Sequence, residues 1–251
     1  MLSLTSVLQS VSGQVAVGLL VTAVSAFIGW SVHSFSDRIR ARRFRSVFGM
    51  ALTDVKLTLG KMYSPPGCFF IVEPNAEYGI TAKEIGSFCE VRGVSYLAQA
   101  IGRNSHIKAA VVAAQDIRDA LDIDFVAVGA MSNLKSRDLF ANPGNKLATF
   151  SLEKGAFVRK TDGSVLWTNT DGKDHGIIVK IHPAQFPNRT WITCAGFNEW
   201  GTSGSAYFLA NHWGELHKGL KGSDKPFMAV IEVQEGKDQS AMLQIFECET
   251  S

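Results

Sequence analysis

The stretch 190–206, TWITCAGFNEWGTSGSA, decides how this chain is read. Its first half, 190–196, reads as a buried strand, like 124–129, whose nearly continuous apolar run favours a central strand covered on both faces. Gly196 closes the run, and small and polar residues lead into a helical pattern over about 203–213. Thr202 and Ser203 are placed to cap that helix, while Gly196, Gly201 and Gly204 permit close backbone approach. A strand that ends in glycine and turns into a helix is the repeating unit of an α/β sheet. The N–H groups that open such a helix, at the carboxyl edge of the strands, attract anions and phosphates above all.

The same design recurs upstream in 126–133, VAVG followed by AMSN, which adds Gly129, Ser132 and Asn133 to the expected ligand-binding residues. With Gly196, Asn198, Gly201, Thr202, Ser203 and Gly204 they make two turns suited to a phosphate-bearing ligand. Tight strand-to-helix turns with no ligand are the plainer alternative, since neither segment matches G-x-x-x-x-G-K-[ST] or G-x-G-x-x-G. Glu199 carries a carboxylate inside the second turn, suited to a ribose hydroxyl or to general-base work, against a solvated loop charge. Trp200 can stack on a base or pack in the core.

Outward from these turns, alternating periodicities place strands over 54–60, 68–74, 107–114, 124–129, 147–152, 165–167, 175–181, 190–196, 226–234 and 241–249. A helix is expected over 82–102 with Thr81 and Glu84 as a capping box, and a shorter one after Asn133. Residues 235–239, Glu-Gly-Lys-Asp-Gln, read as a hairpin turn, and 142–146 and 168–174 as loops. Strands alternating with helices early, then a β-rich later half, predict a Rossmann-like three-layer α/β domain with a mixed sheet.

The first 36 residues differ from the rest. Asp, Glu, Lys and Arg are absent before Asp37, and residues 13–35, GQVAVGLLVTAVSAFIGWSVHSF, are long enough to cross a bilayer core of about 30 Å. A buried core helix is the alternative. Arg38, Arg40, Arg42, Arg43 and Arg45 follow directly, and the positive-inside bias then sets the N-terminus outside and the domain in the cytoplasm. The expected organisation is a transmembrane anchor over 1–36, a basic juxtamembrane segment over 37–49 and a cytoplasmic α/β domain over 50–251, attached to the cell inner membrane. A cleaved signal peptide fits poorly, because the basic cluster lies behind the apolar stretch. Small residues at four-residue spacing, Thr22 with Ala26 and Ser25 with Gly29, permit close helix pairing and hence a homo-oligomer.

Beyond that cluster, residues 46–251 carry 20 basic and 22 acidic groups, so the overall +2 is no argument for nucleic-acid binding. Cys68, Cys89, Cys194 and Cys248 form no C-x-x-C pair and read as reduced thiols. His212 and His217 lack H-E-x-x-H spacing, and no cofactor or metal is expected. The serines near 203 do not form a G-x-S-x-G elbow, which argues against a serine hydrolase.

The ordered blocks 129–133, Asp174-His175-Gly176-Ile177-Ile178, Pro187-Asn188-Arg189 and 196–206 resemble an uncharacterised bacterial membrane-anchored α/β family. Where that family has a G-G-P-x-x-N turn, Ala130-Met131 stand in place of Gly-Pro. More distantly the chain is similar to the nucleotide-sensing Rossmann-like domains joined to membrane segments in bacterial defence systems. The resemblance implies a membrane-anchored sensor or effector domain for a nucleotide or nucleotide-derived ligand. Two other readings stand beside it: an enzyme cleaving or transferring a nucleotide or N-glycoside with Glu199 as catalytic carboxylate, and a structural adaptor.

Overall fold

A computed structural model of the chain describes residues 4–49, 55–60, 87–104, 109–151, 153–167 and 172–249, except the side chains of residues 4–21, 23 and 24. It divides into two units, Met1–Arg42 and Arg43–Ser251. The first is helix α1 (Leu4–Phe48) as far as Arg42. Phe27, Ile28, Trp30, Val32 and Phe35 are exposed along it, and His33 reaches Asp37 one turn on at 3.3 Å. Among the described residues no helix is long and apolar enough to cross a membrane, so the transmembrane part of the expected fold finds no support here. Residues 13–21, 23 and 24 of the expected span fall outside the described side chains.

The second unit is α/β with a mixed sheet. In chain order its elements are β1 (Val55–Leu59), α2 (Phe88–Asn104), β2 (Ala109–Ala113), β3 (Asp124–Val128), α3 (Leu134–Ala141), β4 (Ala148–Ser151), β5 (Ala156–Arg159), β6 (Lys173–Ile181), β7 (Trp191–Gly196), α4 (Glu199–Asn211), α5 (Trp213–Gly219), β8 (Phe227–Gln234) and β9 (Lys237–Cys248). Seven strands pair in the order β2-β1-β3-β7-β6-β8-β9. The β2, β1, β3 and β7 strands run parallel; β6, β8 and β9 continue the sheet antiparallel. A separate hairpin, β4-β5, stands off the sheet.

Period-two alternation divides the core. Val126, Val128, Ile178, Ile192, Cys194, Ala229 and Ile231 face α2, α4, α5 and the end of α1, while Phe125, Ala127, Ile177, Val179, Trp191 and Val230 face α3 and the β4-β5 hairpin. Both faces of β3 and β7 are therefore covered, in keeping with their continuous apolar runs. Residues 43–48 of the basic stretch 37–49 belong to this domain: Phe44, Val47 and Phe48 are fully buried, with Phe44 and Phe48 stacked at 4.1 Å.

Several expected elements shift. The strand expected over 68–74 and the capping box at Thr81 and Glu84 lie outside the described residues. Val165 makes only a single bridge to Val158, and the strand there is β5 instead. The hairpin turn is tighter than expected, since Gln234 already pairs with Lys237 around Gly236 at φ 85°. The largest change is at α4, which begins at Glu199 with Asn198 as its N-cap position, about four residues before the expected start. Thr202 and Ser203 lie inside the helix, their hydroxyls close to the carbonyls of Asn198 and Glu199. Gly201 and Gly204 are likewise interior, which is costly in propensity and is explained by what the helix touches.

Candidate functional site

The chain leaves β1 toward α2 on one face of the sheet and leaves β3 toward α3 on the other, so the crevice between their carboxyl ends is a topological switch point. The chain's own Glu90 fills it. This side chain, 3% exposed on α2, accepts from Gly60 N at 2.7 Å and from Ser132 Oγ at 3.0 Å. Gly129, at φ 108°, lies so close that a Cβ there would strike Glu90 Oε1. Burial pushes the Glu90 carboxyl up to about 7, opposed by those two hydrogen bonds. Asn133 is wholly buried and fully used: its Nδ2 donates to Thr58 O (3.0 Å) and Val128 O (2.9 Å), and its Oδ1 caps α3 by accepting from Lys135 N at 3.0 Å. Of the first turn, Gly129, Ser132 and Asn133 are thus brought together, but as a structural knot.

The second turn tells the same story with a different carboxylate. Asp174, wholly buried at the start of β6, accepts from Gly201 N at 2.6 Å and from His175 N at 2.8 Å, and takes a further bond from Asn198 N. Burial raises the Asp174 carboxyl above its ordinary range against those donors. The opening N–H groups of α4 therefore already hold an anion. The glycines face the sheet and not a ligand. A Cβ on Gly201 would run into the His175 carbonyl, one on Gly196 into Thr202 N, and one on Gly204 into the Val233 side chain. Ser203 sits in a second buried cluster, its Oγ 2.6 Å from Asp238 and accepting from Arg92 Nη2 at 2.9 Å, while Arg92 lies over Trp200 at 4.2 Å. Trp200 thus stacks on a side chain of its own chain.

Three residues remain open at this edge: Phe197, Asn198 and Glu199 are all exposed, and the Asn198 side chain makes no capping bond. Phe197 forms one wall of a cavity of about 280 Å³, with Phe157, Val165, Trp167 and Ala156 as the others and Lys154 at the rim. Phe157 and Trp167 stack at 5.2 Å, and Trp167 in turn covers the His175 ring at 5.8 Å. Lys154 Nζ donates to the Gly163 carbonyl at 2.6 Å, which leaves two of its three protons for another acceptor. This cavity is built by the β4-β5 hairpin and Trp167, none of which the sequence pattern connected to the glycine turns. Glu90 did carry a signal: it shares helical spacing with Val94, Leu97 and Ile101, a carboxylate on an otherwise apolar stripe.

Cys89, pushed up to about 11 by burial, and the fully buried Cys194, pushed higher still, stay protonated thiols. No group of three His, Cys, Asp or Glu among the described residues could hold a metal ion. No family model matches this chain, and no curated relative or solved structure matches it either.

Proposed function

We propose that this chain is a membrane-anchored binding module whose α/β domain receives a nucleotide-type ligand at the carboxyl edge of the sheet, through the aromatic cavity of Phe157, Trp167 and Phe197. That cavity carries the reading. Its volume of about 280 Å³ lies near the lower end of ligand pockets, suited to one ring system, and the exposed ring of Phe197 offers a stacking face to a base, while Phe157 and Trp167, stacked on each other, supply an apolar wall. Lys154 at its rim supplies a cation for a phosphate. Asn198 and Glu199 follow Phe197 directly and offer polar groups to a ribose. The anion is not held at the N-terminus of α4, because Asp174 occupies those donors. Membrane attachment is supported by the uncharged stretch 13–35 with its arginine flank, and by the exposed Phe27, Ile28, Trp30, Val32 and Phe35. Its place at the inner membrane with the domain in the cytoplasm, and its self-association, belong to the same proposal.

The test is a titration of the purified full chain with nucleosides, nucleoside phosphates and cyclic nucleotides, read by quenching of tryptophan fluorescence with product formation followed in parallel. Phe197 is 49% exposed, and the unfolding midpoint of Phe197→Ala is measured beside its binding to separate a lost stacking face from lost stability. Loss of one stacking face weakens binding by about 1–3 kcal/mol. Binding unaltered in that variant, or absent across the panel, refutes the reading; turnover of a bound ligand would make the domain an enzyme.

A further inference from the structure

On the helical face of the domain, a larger cavity of about 660 Å³ opens between the last turns of α1 and the segment of α5 with its following turn. Arg43, Lys218 and Lys221 line it, all three exposed, and no ion-pair partner for them is found among the described residues. The carboxylate in its wall, Glu215, is engaged by His212 Nδ1 at 3.1 Å. His217 is held by Ser46: Ser46 Oγ donates to the Arg43 carbonyl at 2.7 Å, so its contact of 2.6 Å with His217 Nδ1 has the imidazole as donor. Burial and the Arg43 charge lower the His217 pKa, which keeps that ring neutral and leaves three cations against one carboxylate.

Two further observations give the cavity its character. Lys221 is the one described non-glycine residue with positive φ, at 51°, and Gly222 follows at 78°, so the chain turns sharply just past α5, with the Lys221 N–H bonded back to the Lys218 carbonyl at 3.1 Å. Trp213 lines the same cavity and packs edge-on against the buried Phe44 at 5.5 Å, so an indole stands beside the cations. Cations beside an amphipathic indole are the residues that gather at a membrane surface. In the chain, Arg43 follows Phe35, the last residue of the apolar stretch, by only eight positions, within the run of five arginines.

We infer that this cavity is a binding site for a phosphate ester anion, held by Arg43, Lys218 and Lys221. A phospholipid headgroup and a soluble phosphate ester share that chemistry, and the place of Arg43 just behind the apolar stretch favours the lipid. The inference leans on the membrane reading only for the source of the anion. The guanidinium of Arg43 offers paired donors to the two non-bridging oxygens that a phosphodiester and a phosphate monoester both have, and the two ammonium groups serve as point charges beside them.

The test uses the full chain reconstituted in phosphatidylcholine vesicles, with glycerol phosphate added at constant ionic strength, and in vesicles that also contain phosphatidylglycerol. The unfolding midpoint of the domain is read in each. Glycerol phosphate is expected to raise the midpoint in a saturable way, or phosphatidylglycerol to raise it without glycerol phosphate; the second result alone identifies the lipid as the source. The variant Lys218→Gln with Lys221→Gln changes two exposed side chains, so its midpoint without phosphate matches the parent, and its apparent affinity falls at least tenfold. The variant Arg38→Gln with Arg42→Gln removes equal charge outside the cavity and is expected to bind within twofold of the parent. No midpoint shift with either probe overturns the inference, as does an equal loss in both double variants, which would mean diffuse attraction to the arginine cluster. Flotation with phosphatidylcholine vesicles reports membrane attachment separately: a chain that does not float but still binds glycerol phosphate keeps this site and loses the anchor.

Discussion

Replacing Glu90 with glutamine isolates the energetics of the plugged switch point. The parent carboxyl titrates at about 7 in the folded chain against an ordinary 4.5, because burial disfavours its charged form more than Gly60 N and Ser132 Oγ favour it. The folded state therefore binds the proton more tightly than the unfolded one. Stability from this group is fully present below about pH 4.5, falls as pH rises, and has reached its floor above about pH 7. At about 1.4 kcal/mol per pH unit, the gap amounts to about 3 kcal/mol. Glutamine keeps the shape, its carbonyl can accept from Gly60 N and its amide can donate to Ser132 Oγ, yet it never ionises. Urea unfolding of parent and variant at pH 5, 6, 7 and 8 is the assay. The variant is expected to be more stable at pH 8 by up to about 3 kcal/mol, with the difference shrinking below 1 kcal/mol at pH 5. Taking the difference removes Asp124 and Asp174, whose raised carboxyls titrate in both proteins. A difference that does not change with pH refutes the reasoning, and a variant less stable at pH 8 means the ionised carboxylate is worth more to the glycine backbone than its burial costs.

Asp174→Asn sets an amide N–H2 or a weaker acceptor against the Gly201 and His175 N–H groups; a loss of about 1–3 kcal/mol is expected, measured by chemical denaturation, and a loss under 0.5 kcal/mol would show those donors to be satisfied otherwise. Gly201→Ala places a methyl group against the His175 carbonyl and is expected to cost at least about 1–3 kcal/mol by overpacking, so that a folded variant with parental melting behaviour contradicts the geometry. For topology, protease added to intact spheroplasts should leave residues 50–251 uncut, and digestion from outside would end the membrane reading as stated.

The strands were legible because burial imposes a pattern on them. In β3 and β7 every residue is buried, and the unbroken apolar runs say so; β6, β8 and β9 follow by their turns. The start of α4 was not legible. Gly201, Thr202, Ser203 and Gly204 have the composition of a turn, and only the tertiary approach of β6 and β8 explains why a helix carries glycines there. At the second turn one opening N–H of α4, that of Gly201, meets a carboxylate of the chain itself, whereas at the first turn Glu90 is held by Gly60 N and the Ser132 hydroxyl and not by the N–H groups that open α3. What local sequence could not supply was the occupant: Glu90 lies 30 residues from Gly60, and Asp174 lies 27 from Gly201. Likewise Phe157, Trp167 and Phe197 meet only through a hairpin whose second strand, β5, has no strong periodicity of its own.

The contact between Gly176 on β6 and Gly201 on α4 is backbone against backbone, without an intervening layer of side chains. Side chains yield by changing rotamer; peptide planes in contact do not, so helix and strand behave here as a single stiff piece. One end of that piece carries the loop of Phe197, which walls the aromatic cavity. Four residues beyond Gly176, about 13 Å along the strand, Lys180 grips the carbonyl of Ser46 at the end of α1 and the carboxylate of Asp224. The loop of Phe197 and the Lys180 contacts to the end of α1 are therefore carried on one piece whose parts have little room to shift against each other.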